Sequence, residues 1–157
     1  MYIVTKQFKT ICNGCNNRHN VFLIESKRSL EFQEVVEIAI SELSKTDGGI
    51  WGLTLLSDSE LNRSAEKNWE TILNAHAVIA ECSDEKPNIY FQIGLAHSIG
   101  KPVCSCYKKE DKGDHIIYPF NVQGRQHLNY SLQTEEDQEY FIKQLIAWLR
   151  GITNDYR

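Results

Sequence analysis

One strand–helix–strand unit within residues 76–103 constrains the fold of this chain more than any other feature. The apolar run 76–80 is of the kind that is buried in a parallel sheet. A polar loop follows, and Asn88 is a good N-cap for a helix that the spacing predicts over 89–99. Gly100 ends that helix, and a second apolar run begins directly after it. Because ligands of open parallel sheets bind beyond the carboxyl ends of the strands, we expect the chemistry of the protein in this unit.

The same alternation extends along the rest of the chain. Strands are predicted at 21–24, 50–56, 76–80, 103–107 and within 125–130, and helices at 30–43, 62–74, 89–99 and from Thr134 to Gly151. Alternating strands and helices favour an α/β domain whose parallel sheet has right-handed crossovers. We therefore predict a flavodoxin-like three-layer sandwich with a five-stranded parallel sheet of order 2-1-3-4-5 and a switch point between the first and third strands. Residues 1–157 are interpreted as one domain, in which 1–20 form a small N-terminal β extension.

Composition excludes several classes of function. The formal net charge of −4 disfavours a nucleic-acid backbone as the main partner. No apolar run approaches the length of a membrane span, and the N-terminus lacks the apolar core of a signal peptide. Five cysteines, two of them in a predicted core strand, suit a reducing compartment better than a disulfide framework. We expect a cytoplasmic protein without membrane attachment.

A possible metal site lies near the N-terminus. Cys12 and Cys15, with His19, have the spacing with which a metal site begins, but no second pair of ligands is obvious. Cys104 and Cys106 could complete such a site only if the N-terminal loop folded across the end of their strand. Both point to the same face of that strand, where small buried cysteines are common. We predict no metal ion and no cofactor.

Two motifs carry a family resemblance. The predicted helix reads NIYFQIGLAH over 88–97, and YPFNV over 118–122 is followed by Arg125 and Tyr130. Together they resemble the motifs of nucleoside 2-deoxyribosyltransferase-like proteins, which are relatives of TIR-like nucleotide-cleaving domains. The resemblance extends over about 21–150. It implies cleavage or transfer at the N-glycosidic bond of a nucleoside, a nucleotide or NAD.

The resemblance also implies which residues form the site. In the family, the helix glutamate is the catalytic carboxylate, and Gln92 stands at that position here. Glu81 corresponds to a family aspartate at the end of the preceding strand, so the predicted catalytic positions are Gln92 and Glu81. Asn88 and Gln92 lie one helical turn apart and are expected to face one cleft. The residues expected to bind substrate are Ser26, Asn88, Tyr90, Phe120 and Arg125.

Each of these residues also has a purely structural interpretation. Glu81 is either an acid that orients ribose hydroxyls or a strand-end acid without a ligand. Ser26 either binds ribose or phosphate or is a plain strand-end hydroxyl. Phe120 either stacks on a base or anchors a loop, and Arg125 suits a phosphate or a carboxylate.

The activity that we expect from the sequence depends on Gln92. An amide keeps the shape of glutamate but supplies neither negative charge nor useful nucleophilicity. It could be a surface glutamine, the mark of a natural pseudoenzyme that binds without cleaving, or an engineered Glu→Gln replacement that traps a complex. In each case the chain as written is expected to have little activity.

Three functional hypotheses remain. The leading one is a nucleoside- or nucleotide-binding domain that, in its active form, is a nucleosidase, a deoxyribosyltransferase or an NADase. The second is a non-catalytic sensor of a nucleotide signal, and the third is a structural assembly subunit. The resemblance further implies roles in nucleotide salvage or bacterial antiviral defence, and a homo-oligomer in which a neighbouring subunit completes the pocket.

Overall fold

The structure, a computed structural model, describes residues 19–25, 30–55, 65–109 and 127–155 of the chain. These residues form strands and helices in strict alternation until β4, which is followed by β5 and a last helix. The elements are β1 (His19–Ile24), α1 (Leu30–Thr46), β2 (Trp51–Thr54), α2 (Ala65–Asn74), β3 (Ala77–Glu81), α3 (Pro87–Ser98), β4 (Val103–Lys108), β5 (His127–Tyr130) and α4 (Glu135–Asp155). Most of the predicted β extension lies outside the described residues, and β1 begins two residues earlier than predicted.

The five strands form one parallel sheet of order β2-β1-β3-β4-β5. The predicted α/β, flavodoxin-like arrangement is therefore confirmed. In the register of β1 and β3, Ile24 pairs with Ala80, and in that of β3 and β4, Glu81 pairs with Cys106. The chain adds β2 on one side of β1 and β3 on the other, so the switch point lies between β1 and β3, as predicted.

Alternating strand residues fill two cores. Leu23 and Ile79 belong to the core between the sheet and helices α1 and α4, whereas Phe22 and Val78 belong to the core on the side of α2 and α3. The predicted apolar face of α4 is buried throughout, at Phe141, Ile142, Leu145, Trp148 and Leu149. In the described ranges, helices cover both faces of the sheet, and ligands of such sheets bind beyond the carboxyl ends of the strands.

The end of α3 is set by a glycine, as predicted. Gly100 has a φ of +76°, the left-handed conformation that glycine adopts without a steric penalty. The N–H of Gly100 donates to the carbonyl of His97 at 3.0 Å, and the N–H of Lys101 donates to that of Ala96 at 2.9 Å. These two hydrogen bonds form a Schellman motif that satisfies the last carbonyls of the helix.

Two other predicted helix limits were wrong. The N-cap of α3 is Lys86 and not Asn88, because Pro87 takes the first helical position, where its fixed φ fits and no N–H is needed. Helix α4 continues through Gly151 to Asp155. Its predicted start is confirmed, since the Asp137 N–H donates to the hydroxyl of Thr134 at 3.1 Å.

None of the helices in the described ranges combines the length and the apolar character that a bilayer span requires.

Candidate functional site

Two carboxylates mark the switch point of the sheet. Glu81 is the last residue of β3, and Glu25 directly follows β1. Since Ile24 pairs with Ala80, the next residues of the two chains, Glu25 and Glu81, continue that register at the carboxyl edge. Sequence analysis singled out Ser26, which lies outside the described residues, and missed Glu25. The signal that could have found Glu25 is its place as the first charged residue after a buried strand.

Glu81 is buried, with 7% of its surface exposed, and its charge is compensated by donors from its own chain. Its Oε1 accepts hydrogen bonds from the backbone N–H of Ser83 at 3.1 Å and from the Tyr130 hydroxyl at 3.0 Å. The Ser83 hydroxyl donates a third, short hydrogen bond to the same oxygen. Buried carboxylates require such donors, and hydrogen bonds to a charged acceptor are the stronger ones.

Ser83 connects this carboxylate to the next strand. Its Oγ also accepts the backbone N–H of Lys108 at 2.7 Å, at the end of β4. The backbone of β5 joins the same edge, because the Lys109 N–H donates to the Tyr130 carbonyl at 2.7 Å. Hydrogen bonds centred on Glu81 and Ser83 thus hold together the carboxyl ends of β3, β4 and β5. We call Glu81, Ser83, Lys108 and Tyr130 the strand-end clamp.

The hydroxyl and thiol groups around Glu81 are neutral at physiological pH. Burial, and secondly the charge of Glu81, raises the pKa of Tyr130 well above its usual value. Burial likewise raises the pKa of Tyr107 and of Tyr90, and it raises the pKa of the Cys82 thiol to about 12. These groups can therefore donate hydrogen bonds, and Cys82 is not an activated nucleophile.

Gln92 lies on the sheet-facing side of α3. It shares the helical stripe of Ile89, Ile93 and Ala96, and only 8% of its surface is exposed. Its Oε1 is buried and has no hydrogen-bond partner among the described residues. The interpretation of Gln92 as a surface glutamine is therefore wrong. A buried carbonyl oxygen without a donor calls for an explanation such as a bound water or a ligand.

The predicted site residues occupy different environments. Tyr90 is half-buried, and its hydroxyl lies beside that of Tyr107, whereas Asn88 is exposed on the first turn of α3. Strand alternation sends Glu81 to the side of α1 and α4, while Gln92 belongs to a helix on the opposite side. No hydrogen bond joins the Glu81 and Gln92 side chains in the described part of the chain. Glu81 and Gln92 thus lie on opposite faces of the sheet. Phe120 and Arg125 lie, like Ser26, outside the described residues.

The cysteines of the described ranges do not form a metal cluster. Cys82, Cys104 and Cys106 are free and buried, and no three metal-ligating side chains in those ranges are grouped closely enough to hold an ion. Cys104 and Cys106 occupy the same core, as their spacing predicts. His19 begins β1 and packs on Trp51, with ring centroids 4.9 Å apart. Cys12 and Cys15 lie outside the described residues, so the absence of a metal there stays a prediction.

No family model and no curated protein matches the sequence of this chain. Among solved structures, the CMP N-glycosidase BcmB of Clostridium botulinum has a similar fold, with a TM-score of 0.50 and 17% sequence identity. The similarity covers 80% of this chain and 97% of that chain. At this identity the similarity concerns the fold alone. The fold of this chain is thus one that is also found in a protein described as a CMP N-glycosidase.

Proposed function

We propose that this protein binds a nucleotide at the carboxyl edge of its sheet, at a site whose chemistry concerns the N-glycosidic bond. One observation carries the proposal: Gln92, in the helix that resembles the catalytic helix of the deoxyribosyltransferase-like family, is buried and has a carbonyl oxygen without a partner among the described residues. An unsatisfied buried acceptor costs about 1–3 kcal/mol, and a ligand that donates a hydrogen bond to it would recover this free energy. The fold of the CMP N-glycosidase supports the proposal independently of this residue.

The reaction explains why position 92 matters. Breaking an N-glycosidic bond places positive charge on the sugar carbon in the transition state, and a carboxylate stabilises or attacks that centre. The amide of Gln92 keeps the reach of a glutamate but lacks the charge. The protein as it stands therefore binds its ligand and turns it over slowly, and a form with a carboxylate at position 92 would be a nucleosidase, a deoxyribosyltransferase or an NADase.

The second candidate function is a sensor that binds a nucleotide signal without cleaving it. The neutral amide favours this candidate, because ground-state binding needs hydrogen bonds and shape but no charge on this side chain. Both candidates bind a nucleotide. They differ in whether a carboxylate at position 92 would make the protein cleave it.

The binding step is tested by calorimetric titration with CMP, cytidine and NAD. We expect saturable binding of at least one of them, weakened about tenfold or more by Gln92→Ala, since a lost hydrogen bond of about 1.4 kcal/mol corresponds to a factor of ten. Gln144→Ala is the matched control, because Gln144 lies on α4 and its Oε1 is also buried without a partner among the described residues. Absence of binding, or equal effects of the two variants, contradicts the proposed site.

A further inference from the structure

We propose that Tyr130 is a positioning residue of this site: its hydroxyl holds Glu81, and through Glu81 and Ser83 it fixes the loop that leads into α3. The inference rests on the proposed function only in that α3 carries the ligand-binding Gln92. It gives Glu81 a role within the protein framework instead of a role in contact with the substrate.

The Tyr130 ring is held in a fixed direction. Only 3% of the residue is exposed, and the ring stacks on Phe141 with centroids 5.0 Å apart and packs on Phe32 at 4.9 Å. Both phenylalanines belong to helices of the α1–α4 side. This packing fixes the direction of the ring, and its hydroxyl points at Glu81 Oε1.

Glu81 transmits this constraint to Ser83. Its Oε1 accepts both the backbone N–H and the hydroxyl of Ser83, so the first turn after β3 has one geometry relative to the carboxylate. The three donors on Oε1, two from Ser83 and one from Tyr130, occupy the lone pairs of that oxygen. In the described part of the chain, Oε1 of Glu81 thus accepts hydrogen bonds from other residues of the protein.

The loop itself needs such support. Glu85 has a φ of +50°, a left-handed conformation that costs a non-glycine residue roughly 1–2 kcal/mol. Its N–H closes a turn onto the carbonyl of Cys82 at 3.0 Å, and Lys86 then caps α3 with no side-chain hydrogen bond. A strained residue and a helix start without a side-chain cap persist when the surroundings hold them, and the strand-end clamp fixes Ser83, two residues before Glu85. Gln92 lies in the second turn of α3, so its position follows from how the loop enters the helix.

Amide hydrogen exchange tests the positioning directly. Tyr130→Phe keeps the packed ring and removes only the hydroxyl, so we expect the Ser83, Glu85 and Lys108 amides to exchange at least tenfold faster. Tyr107→Phe is the matched control, because Tyr107 is also 3% exposed but its hydroxyl neighbours are Tyr90 and Cys82. Unchanged exchange in Tyr130→Phe, or equal acceleration in both variants, overturns the inference.

Two further measurements keep the test decisive. If Tyr130→Phe does not fold, Ser83→Ala, at an exposed position, replaces it in the exchange experiment. Unchanged hydrogen exchange at the Glu85 amide in that variant overturns the inference.

A double-mutant cycle with CMP as the probe tests the functional consequence. Tyr130→Phe should weaken CMP binding about fivefold, and little further in the Ser83→Ala background, since both changes act through Glu81. Full additivity, or no change in CMP affinity while the loop amides exchange faster, refutes the positioning role. If the unaltered protein binds no nucleotide, the proposed function fails, and the exchange result still decides the role of Tyr130.

Discussion

At the scale of single residues, the described part of the protein contains both satisfied and unsatisfied buried polar groups. Glu81 has three donors on one oxygen, whereas Gln92 has none for its Oε1 among the described residues. A satisfied buried carboxylate supports the structure, and an unsatisfied buried amide lowers stability. The two side chains differ in this respect although the resemblance assigns both to the catalytic site. We therefore expect that removing the amide of Gln92 raises the stability of the protein and lowers its affinity for the ligand.

Replacing Gln92 by methionine should stabilise the protein and abolish nucleotide binding. Methionine has a similar length and no acceptor to leave unsatisfied, so we expect the free energy of unfolding to rise by about 1–2 kcal/mol. Urea melts followed by circular dichroism measure the stability, and calorimetry with CMP measures the binding. A loss of more than about 1 kcal/mol in stability would mean that Oε1 is hydrogen-bonded in solution, and it would remove the main support for a ligand at this residue.

His76 makes the stability of the protein depend on pH. Its Nδ1 accepts the backbone N–H of Asn20 at 3.0 Å, which requires a neutral ring. Burial, and then the nearby His19 and Lys101, lower the pKa of His76 below its usual 6.5. The unfolded chain therefore binds a proton at a higher pH than the folded one, and the free energy of unfolding falls as the pH falls through 6.5 toward the folded pKa.

We expect urea melts at about pH 7.5 and about pH 5.5 to show this fall, and His76→Asn to make it smaller. His19, whose pKa burial also lowers, contributes the part that remains in the variant. A stability that is equal at both pH values, or a variant with the same pH dependence as the unaltered protein, would contradict the role of His76.

At the scale of helices and strands, the sequence identifies elements better than their limits. Gly100 ends α3 because its φ of +76° is a conformation that other residues rarely adopt. Gly151 does not end α4, because Ile152 continues the packing on the α1–α4 core. That packing outweighs the roughly 1 kcal/mol that glycine costs in a helix interior. The mistaken N-cap has a similar cause, since Pro87 is itself a good first helical residue.

The two glycines should respond oppositely to the same substitution. Gly100→Ala forces a β-carbon into the left-handed conformation and is expected to destabilise the protein by about 1–2 kcal/mol. Gly151→Ala has open space around the new β-carbon and is expected to stabilise it by about 0.5–1 kcal/mol. Chemical denaturation of the two variants checks both signs. A destabilised Gly151→Ala would mean that α4 does not continue past residue 151 in solution.

At the scale of the whole molecule, the sheet order follows from sequence because each strand–helix–strand unit permits one hand of crossover. The strand-end clamp does not follow, because its hydrogen bonds join residues that are far apart in the chain, such as Glu81 and Tyr130. No local sequence pattern predicts that the Tyr130 hydroxyl will donate a hydrogen bond to Glu81 at the end of β3. The face of the sheet to which Glu81 belongs likewise depends on which residues of β3 alternate into each core. The roles of Ser26, Phe120 and Arg125 stay predictions from the sequence.

The central claim is that position 92 lies at the N-glycosidic bond of a bound nucleotide. It is tested most directly by incubating the unaltered protein and Gln92→Glu with nucleosides, nucleotides and NAD, and measuring the free base by chromatography. We expect Gln92→Glu to release base from at least one of them and the unaltered protein to release little, because only the carboxylate stabilises the positive charge of the transition state. If both proteins bind the same ligand and Gln92→Glu releases no base, the enzymatic hypothesis is contradicted and the sensor takes its place.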